Sequence, residues 1–172
     1  MVTDDRDEGL VAPRGTGTMS GMEVSLREAA EGDAEFLFGL HRVSLGAVIE
    51  ATWGPWEDAQ QREFHRAWFD PARLLVVVCG GQDIGVVDAH HRADGVVYLA
   101  RIELLPQFQG LRIGTRLIEQ LAARARDAGA AAIELDVLEA NEGARRLYER
   151  LGFSVTGETS PKLGMRLALM RS

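Results

Sequence analysis

The sequence predicts an α+β domain in which helices flank a mixed, mostly antiparallel sheet. Its 172 residues suit one compact core, and 46% hydrophobic with 26% charged residues is the composition of a chain that folds. Apolar residues alternate at period two in some segments and recur at helical spacing in others, with glycine-containing turns between them. The predicted order is one strand, two helices, three strands, a helix, a strand, a helix and two strands.

Residues 1–21 are predicted to form a tail outside the core, because they mix polar residues with glycine and lack an apolar period. The acidic start has none of the features of a signal peptide, and the longest apolar run, Leu74 to Cys79, is too short to span a membrane. A net charge of −7 disfavours nucleic acid and anionic membranes as partners. We therefore expect a cytoplasmic protein that binds neither, with 22–172 as its folded domain.

The first part of this domain is predicted to hold one strand and two helices. Residues 23–27 alternate polar and apolar side chains, which is typical of a half-buried strand. Asp33 can cap a helix whose apolar residues recur on one face over 36–47. Acidic residues at 57–58 begin a second helix, which ends at Asp70-Pro71 because a residue before proline disfavours helical geometry.

The next segment changes to strand periodicity. Residues 74–79 and 84–89 are apolar runs joined by the turn Gly80-Gly-Gln-Asp83, which predicts an antiparallel hairpin. Asp94-Gly95 predicts a second hairpin turn, and a third strand covers 96–105. These three strands are therefore expected to be antiparallel neighbours.

The last segment is predicted to alternate helices and strands. Helical spacing covers 113–129 up to a glycine stop, and 131–137 is predicted to be a strand. A short helix over 141–152 starts at an asparagine and ends at a glycine, and 153–156 and 163–169 supply two final strands. The helix between two strands predicts one parallel crossover near the middle of the sheet.

Cysteine and histidine positions argue against a metal or thiol centre. Cys79 is the only cysteine and lies in an apolar run, so we expect a buried thiol and neither a disulfide nor a cysteine zinc site. His90 and His91 are adjacent on a predicted strand and point to opposite faces, with no carboxylate at ligand spacing. No metal is expected.

The junction at 106–115 joins a strand directly to a helix and contains small residues. The first N–H groups of a helix have no intrahelical acceptor and lie at the positive end of its dipole, so they bind phosphate oxygens. Glycines at such a turn equally serve to give the backbone its angles alone, and both interpretations stay open on these residues. The segment matches neither a Walker loop nor the GxGxxG dinucleotide fingerprint.

Two motifs follow each other beyond this strand. The first is Gln109-Gly-Leu-Arg-Ile-Gly114, and the second is Asn141 followed by Tyr148-Glu-Arg-Leu-Gly-Phe153. In this order they resemble the motifs of the GNAT superfamily of N-acetyltransferases, and the resemblance covers residues 22–170. It implies a GNAT-like acyl-CoA N-acyltransferase fold, acetyl-CoA as cosubstrate, and direct attack by a primary amine without a covalent enzyme intermediate. Arg112 departs from the family pattern, which has a glycine there.

The resemblance also implies where the cofactor and the catalytic groups lie. The Leu104 N–H would face the thioester carbonyl, and Tyr148 would give a proton to the departing CoA thiolate. Arg112 loses the conformational freedom of glycine but offers a guanidinium to the phosphates. The implied cofactor-binding residues are Ile102, Glu103, Leu104, Gln109, Gly110, Leu111, Arg112, Ile113, Gly114, Thr115, Asn141 and Tyr148.

The sequence leaves more than one candidate for the catalytic base and for the residues of the acceptor pocket. An amine is mostly protonated at neutral pH, so a group must take a proton from it directly or through water. Asp136 and Glu103 are the candidate bases, although an outward-facing strand position explains either carboxylate as well. Trp53 and Trp56 lie where this family builds its acceptor pocket, and they are candidates for substrate contact or for packing.

Two hypotheses for the function come from different classes. The first is an acetyl-CoA-dependent N-acetyltransferase with Tyr148 as general acid. The second is a non-catalytic acyl-CoA binding or sensing domain, which the departure at Arg112 favours. The expected partners are acetyl-CoA and an amine acceptor, and a homodimer is a further expectation because members of the family often pair.

Overall fold

The protein is described by a computed structural model over residues 17–19 and 22–169, which contain one mixed sheet. The strands of this part of the chain are β1 (Gly17–Met19), β2 (Met22–Glu28), β3 (Leu74–Cys79), β4 (Gln82–His91), β5 (Val96–Leu104), β6 (Ala132–Leu138), β7 (Ser154–Thr159) and β8 (Lys162–Ala168). Their order across the sheet is β1-β2-β3-β4-β5-β6-β8-β7. β5 and β6 are parallel, and the other neighbouring strands are antiparallel.

Helices cover both faces of the sheet. In the described chain they are α1 (Ala34–Trp53), α2 (Asp58–Trp68), α3 (Ile113–Asp127) and α4 (Glu142–Arg150). Val86 of β4 packs in one apolar cluster with Leu37 and Leu40 of α1, whereas the next residue, Val87, belongs to a cluster with Leu117 of α3. Successive strand residues point to opposite faces, so α1 and α3 lie on opposite sides of the sheet.

The predicted order of helices and strands is confirmed, and the main differences lie at the two edges of the sheet. Residues 17–19, which the sequence assigned to the tail, pair with β2 as an edge strand. Residues 1–16 and 20–21 of that tail lie outside the described residues. β7 reaches Thr159 instead of ending at 156, because this edge strand is exposed at every position and has no apolar alternation to mark its end.

Two further expectations from the sequence concern the cysteine and the length of the helices. Cys79 is 5% exposed, which confirms a buried thiol. Within the described ranges, no helix combines the length and the apolar character needed to cross a bilayer.

Candidate active site

Strands β5 and β6 pair only where both begin. Their parallel register joins Val96–Tyr98 to Ala132–Glu134, although β5 continues to Leu104 and β6 to Leu138. The register of β5 against β4 skips Ala100, which marks a bulge, and a bulge bends its strand. The two strands therefore separate toward their C-terminal ends, and the second half of β5 has no strand neighbour on the β6 side of the described sheet.

A cavity of about 830 Å³ occupies the gap between the two strands. Helices α1 and α2 form one wall with large apolar side chains, among them Trp53, Phe64 and Trp68. Strands β5 and β6 and helix α4 form the other walls, where polar side chains are more frequent. This size and this mixed lining are typical of a site for a small molecule.

Glu103 is a carboxylate buried in the wall of the cavity, with its side chain 3% exposed. Its Oε1 lies 2.9 Å from Nδ1 of His41 and 3.4 Å from Nε of Arg101, and its Oε2 accepts a 3.2 Å hydrogen bond from Ser44 Oγ. Burial alone would raise the pKa of Glu103, but the bond with His41 and the charge of Arg101 outweigh burial and hold the pKa below its usual value. Glu103 is therefore ionised at neutral pH.

The Arg101 guanidinium compensates this buried charge. Its carbon Cζ lies 3.4 Å from the centre of the Trp68 ring, and the side chain is 9% exposed. Burial lowers the pKa of Arg101, while the negative charges of Glu103 and Asp88 oppose that change. An arginine keeps its proton in proteins, so Arg101 and Glu103 form a charged pair beneath the aromatic wall.

Tyr148 enters the cavity from α4. The residue is 7% exposed, and its ring centre lies 5.6 Å from that of Phe153. Burial and the negative charge of Glu103 raise the pKa of Tyr148 to about 12. Its hydroxyl therefore carries a proton across the neutral range and is able to give it to a developing anion.

Asp136 lies on β6 and differs from Glu103 in exposure. It lines the cavity as an exposed residue, and its Oδ2 accepts a 3.0 Å hydrogen bond from the Tyr98 hydroxyl. Burial and this hydrogen bond raise the pKa of Tyr98 to about 12, so the phenol remains the donor at neutral pH. The two predicted bases thus occupy different surroundings, one buried among donors and one open to the cavity.

The loop before α3 has two residues in the left-handed region. Gly110 has φ 73°, and Arg112 has φ 64° with ψ 11° directly before the helix. Arg112 thus adopts the backbone that glycine favours, at a cost of about 1–2 kcal/mol for a residue with a side chain. Gln109 Nε2 donates to the Leu104 carbonyl oxygen at 2.9 Å, which ties the loop to the end of β5.

Asn141 and the two predicted acceptor tryptophans have distinct local roles. Asn141 is the N-cap of α4, where its Oδ1 accepts a 3.2 Å hydrogen bond from the Ala144 N–H, and it also lines the cavity. Trp53 lines the cavity and is 61% exposed. Trp56 packs instead against the His41 ring, with ring centres 6.1 Å apart.

The structure brings some of the predicted site residues together and leaves others apart. Those that line the cavity are Trp53, Ile102, Glu103, Asp136, Asn141 and Tyr148. Leu104 and the loop residues Gln109, Gly110, Leu111, Arg112, Ile113, Gly114 and Thr115 lie beyond its lining, at the end of β5 and the start of α3. The Ile113 side chain is 1% exposed and belongs to the core, so only its backbone is available to a ligand.

Sequence reasoning missed His41, whose side chain lines the cavity and contacts Glu103. The available signal was its spacing, because His41 lies one turn after Leu37 and three residues before Ser44 on the sheet-facing side of α1. A polar residue on such a face needs a partner. For metals, no group of three or more histidine, cysteine or acidic side chains in the described chain is arranged to hold an ion.

A model of the acetyltransferase (GNAT) family matches residues 39–153, which include most of the cavity lining and both sequence motifs. The chain belongs to this family. A solved GNAT-fold relative is PaiA N-acetyltransferase from Thermoplasma acidophilum in complex with coenzyme A, with a TM-score of 0.70 at 18% identity over 84% of this chain and 98% of that one. At this identity the likeness concerns the fold.

Curated relatives of this GNAT chain match it over part of their length. A mycothiol acetyltransferase from Propionibacterium freudenreichii is 38% identical over 105 residues, which are 58% of this chain and 33% of the relative. An uncharacterised N-acetyltransferase from Mycobacterium bovis is 31% identical over 55% of this chain and 62% of its own length. The chain therefore spans about a third of the mycothiol acetyltransferases that it resembles.

Proposed function

We propose that this GNAT protein is an acetyl-CoA-dependent enzyme that transfers an acetyl group to a primary amine. The observation that carries the proposal is the gap between β5 and β6, where a free strand edge, a buried phenol and an ionised carboxylate border one cavity. Membership of the family and a fold shared with a coenzyme A complex support the choice of cosubstrate.

The free edge of β5 suits the pantetheine arm and the thioester. The Leu105 N–H donates to the Ile84 carbonyl of β4 at 2.8 Å. Backbone groups alternate sides along a strand, so the N–H of Leu104 points toward the gap. A fixed N–H at this place donates to the thioester carbonyl oxygen and stabilises the charge that develops on it during attack.

The start of α3 suits the pyrophosphate. Its first helical hydrogen bond runs from the Arg116 N–H to the Arg112 carbonyl oxygen. The N–H groups of Ile113, Gly114 and Thr115 precede that bond and have no intrahelical acceptor. Together with the positive end of the helix dipole they bind phosphate oxygens, and the Arg112 guanidinium adds a charge beside them.

Tyr148 is the proposed general acid of the transfer. The amine nitrogen attacks the thioester carbon, the C–N bond forms, and the C–S bond breaks with its electron pair on sulfur. The Tyr148 hydroxyl gives its proton to the CoA thiolate, a role that needs a weak acid which is still protonated at neutral pH. The acceptor ammonium loses its proton on the side of the cavity where the carboxylates lie.

The acceptor is proposed to be a small primary amine with an apolar or aromatic body. Trp53, Phe64 and Trp68 expose 61%, 53% and 38% of their surface, and all three line the cavity. Their rings provide apolar contact and attract a cation over the ring face. An ammonium group on such a body then comes within reach of the carboxylates of Glu103 and Asp136, and Arg101 and Lys162 balance their charge in the same lining.

The test is a panel of primary amines with apolar, aromatic, polar and polycationic bodies, assayed for CoA release from acetyl-CoA. Calorimetry on the same protein measures acetyl-CoA binding. Faster turnover of apolar or aromatic amines than of polar amines supports the proposal. Acetyl-CoA binding without CoA release from any amine would identify a non-catalytic binding domain, and absence of both would contradict the family-based assignment of the cosubstrate.

A further inference from the structure

We propose that His41 is the base that takes the proton from the acceptor ammonium, and that Glu103 positions its ring. The inference rests on the proposed acetyl transfer. It moves the base away from both carboxylates predicted by the sequence, Glu103 and Asp136. The observation behind it is a histidine–carboxylate pair in the wall of the cavity, with a 2.9 Å separation between His41 Nδ1 and Glu103 Oε1.

The contacts of His41 leave one ring nitrogen for the cavity. Nδ1 faces Glu103, and the side chain is 17% exposed and lines the cavity. The ring centre lies 6.1 Å from those of Trp56, in the segment between α1 and α2, and Trp68, at the end of α2. These aromatic neighbours and the Glu103 bond fix the ring, so Nε2 is the nitrogen that an acceptor amine would meet.

The partner determines the tautomer. An ionised carboxylate only accepts hydrogen bonds, so the His41 Nδ1 bears the hydrogen in the neutral ring and donates it to Glu103. Nε2 then carries the free electron pair that a base needs. When Nε2 takes a proton, the negative charge of Glu103 stabilises the imidazolium, as a buried carboxylate does in a catalytic triad.

The other two candidate bases fit less well. Both oxygens of Glu103 are occupied, by His41 and by Ser44, and its side chain is 3% exposed. A carboxylate with a lowered pKa is also a weak base. Asp136 is open to the cavity, but it accepts the Tyr98 hydroxyl and lies on β6, away from the aromatic wall proposed for the acceptor.

These residues account for every proton that moves during the transfer. One proton passes from the ammonium to His41 Nε2 and on to solvent. The neutral amine attacks the thioester, and the CoA thiolate leaves with the proton of Tyr148. The second proton of the attacking nitrogen returns the Tyr148 phenolate to its neutral form as the amide appears, so the net products are amide, CoA thiol and one proton.

Several titratable or charged groups surround His41 and bear on the pH dependence of this step. From β5, Glu103 and Arg101 face the His41 side of the cavity, and from α2 His65 contributes a weak charge interaction with His41. Tyr148 of α4, Asp136 of β6 and Lys162 of β8 line the same cavity. Of these, Glu103 is the group in direct contact with the ring.

The test compares wild-type protein with His41→Asn, which keeps a donor near the Nδ1 position but has no basic nitrogen. His41→Asn is expected to lower kcat/KM for the best amine by about 10²-fold to 10⁴-fold and to abolish the acidic limb of the profile, with acetyl-CoA affinity unchanged. His41→Gln serves as a second variant in case the first does not fold. His90→Asn is the matched control, because His90 is 14% exposed, lies beside Asp88 and is absent from the cavity lining.

Glu103→Gln separates positioning from direct catalysis. As a positioning residue, Glu103 should lower kcat when changed to glutamine while KM for the amine stays the same, and the double variant with His41→Asn should be no slower than His41→Asn alone. A folded His41→Asn protein with wild-type kcat/KM, beside an inactive Glu103→Gln or Asp136→Asn protein, overturns the inference and leaves the acetyl transfer intact. Wild-type protein that releases no CoA with any amine overturns both.

Discussion

A Cβ atom placed on Gly85 would lie 2.4 Å from the carbonyl oxygen of Glu103 and 2.6 Å from the Leu104 side chain. Strand β4 therefore passes closer to β5 at the site than any side chain permits. Gly85 pairs with Leu104, at the end of β5 that has no β6 neighbour, so it lets β4 support the strand edge that borders the cavity. The Glu103 carbonyl oxygen belongs to the backbone, so it can move away from an added Cβ atom only if strand β5 itself moves.

Gly85→Ala is therefore expected to lower the free energy of unfolding by about 1–3 kcal/mol, the usual cost of overpacking. Urea denaturation measures the change. Gly157→Ala is the matched control in another strand, because a Cβ there meets no atom within 4 Å. Equal stability of the two variants would contradict the close approach of β4 and β5.

Tyr148→Phe removes the proposed acid and keeps the ring packing. We expect turnover with the best amine to fall by about 10²-fold, the lower end for a positioned acid, because the CoA thiol is a fairly good leaving group. Acetyl-CoA affinity should be retained. A stable Tyr148→Phe protein with wild-type turnover would refute the acid role.

Trp53→Ala removes an exposed ring from the acceptor wall. Loss of that apolar contact is expected to raise KM for an aromatic amine by about 10-fold, which corresponds to roughly 1.4 kcal/mol, while KM for acetyl-CoA stays the same. Steady-state kinetics with each substrate varied in turn measure both values. Val43→Ala on the same helix is the control, because Val43 is 55% exposed and outside the cavity lining.

Arg112→Gly relieves the left-handed backbone before α3. Removing the strain stabilises the folded chain by about 1–2 kcal/mol. This exceeds the free-energy cost of the larger backbone entropy that glycine has in the unfolded chain, so we expect a net stabilisation of about 0.5–1 kcal/mol. Arg116→Gly, one turn into the helix, should instead destabilise by about 1 kcal/mol. Thermal unfolding compares the two, and a loss of stability in Arg112→Gly would show that the Arg112 side chain contributes more than its backbone costs.

Asp33→Asn tests an ion pair that stabilises the folded chain at neutral pH. The Arg27 guanidinium donates to both Asp33 oxygens, at 2.9 and 2.8 Å, and these bonds lower the pKa of Asp33 to about 2 from 3.8. A depressed folded pKa gives stability that is present above pH 3.8 and lost as the pH falls through about 2. Arg27 is 38% exposed, so solvent screening limits the effect to about 1 kcal/mol.

Urea denaturation at several pH values checks this prediction. The difference between wild type and Asp33→Asn should shrink as the pH falls from neutral toward 2. Glu31→Gln, an exposed carboxylate of the same turn, should show no such difference. A pH-independent loss in Asp33→Asn would instead point to the hydrogen bond that Asp33 accepts from the Ala30 N–H at 2.8 Å.

Local sequence patterns were enough to predict the order of helices and strands, the hairpin turns and the two motifs of the family. These depend on neighbouring residues, since apolar periodicity, caps and turns act within a few positions of the chain. The same local logic located Tyr148 on the inward face of a short helix and the proposed phosphate loop at a strand-to-helix junction. The resemblance to the family added that Arg112 stands where the family pattern has a glycine.

The assembly of the site depends on contacts between residues that are far apart in the sequence. The His41–Glu103 contact joins residues 62 positions apart, and the roles of Trp53 and Trp56 differ because only one of them faces the cavity. The separation of β5 from β6 follows from a bulge at Ala100 that no local pattern marks. Such contacts arise only when α1 packs on the sheet, because distant groups acquire their partners, their burial and their pKa values from that packing.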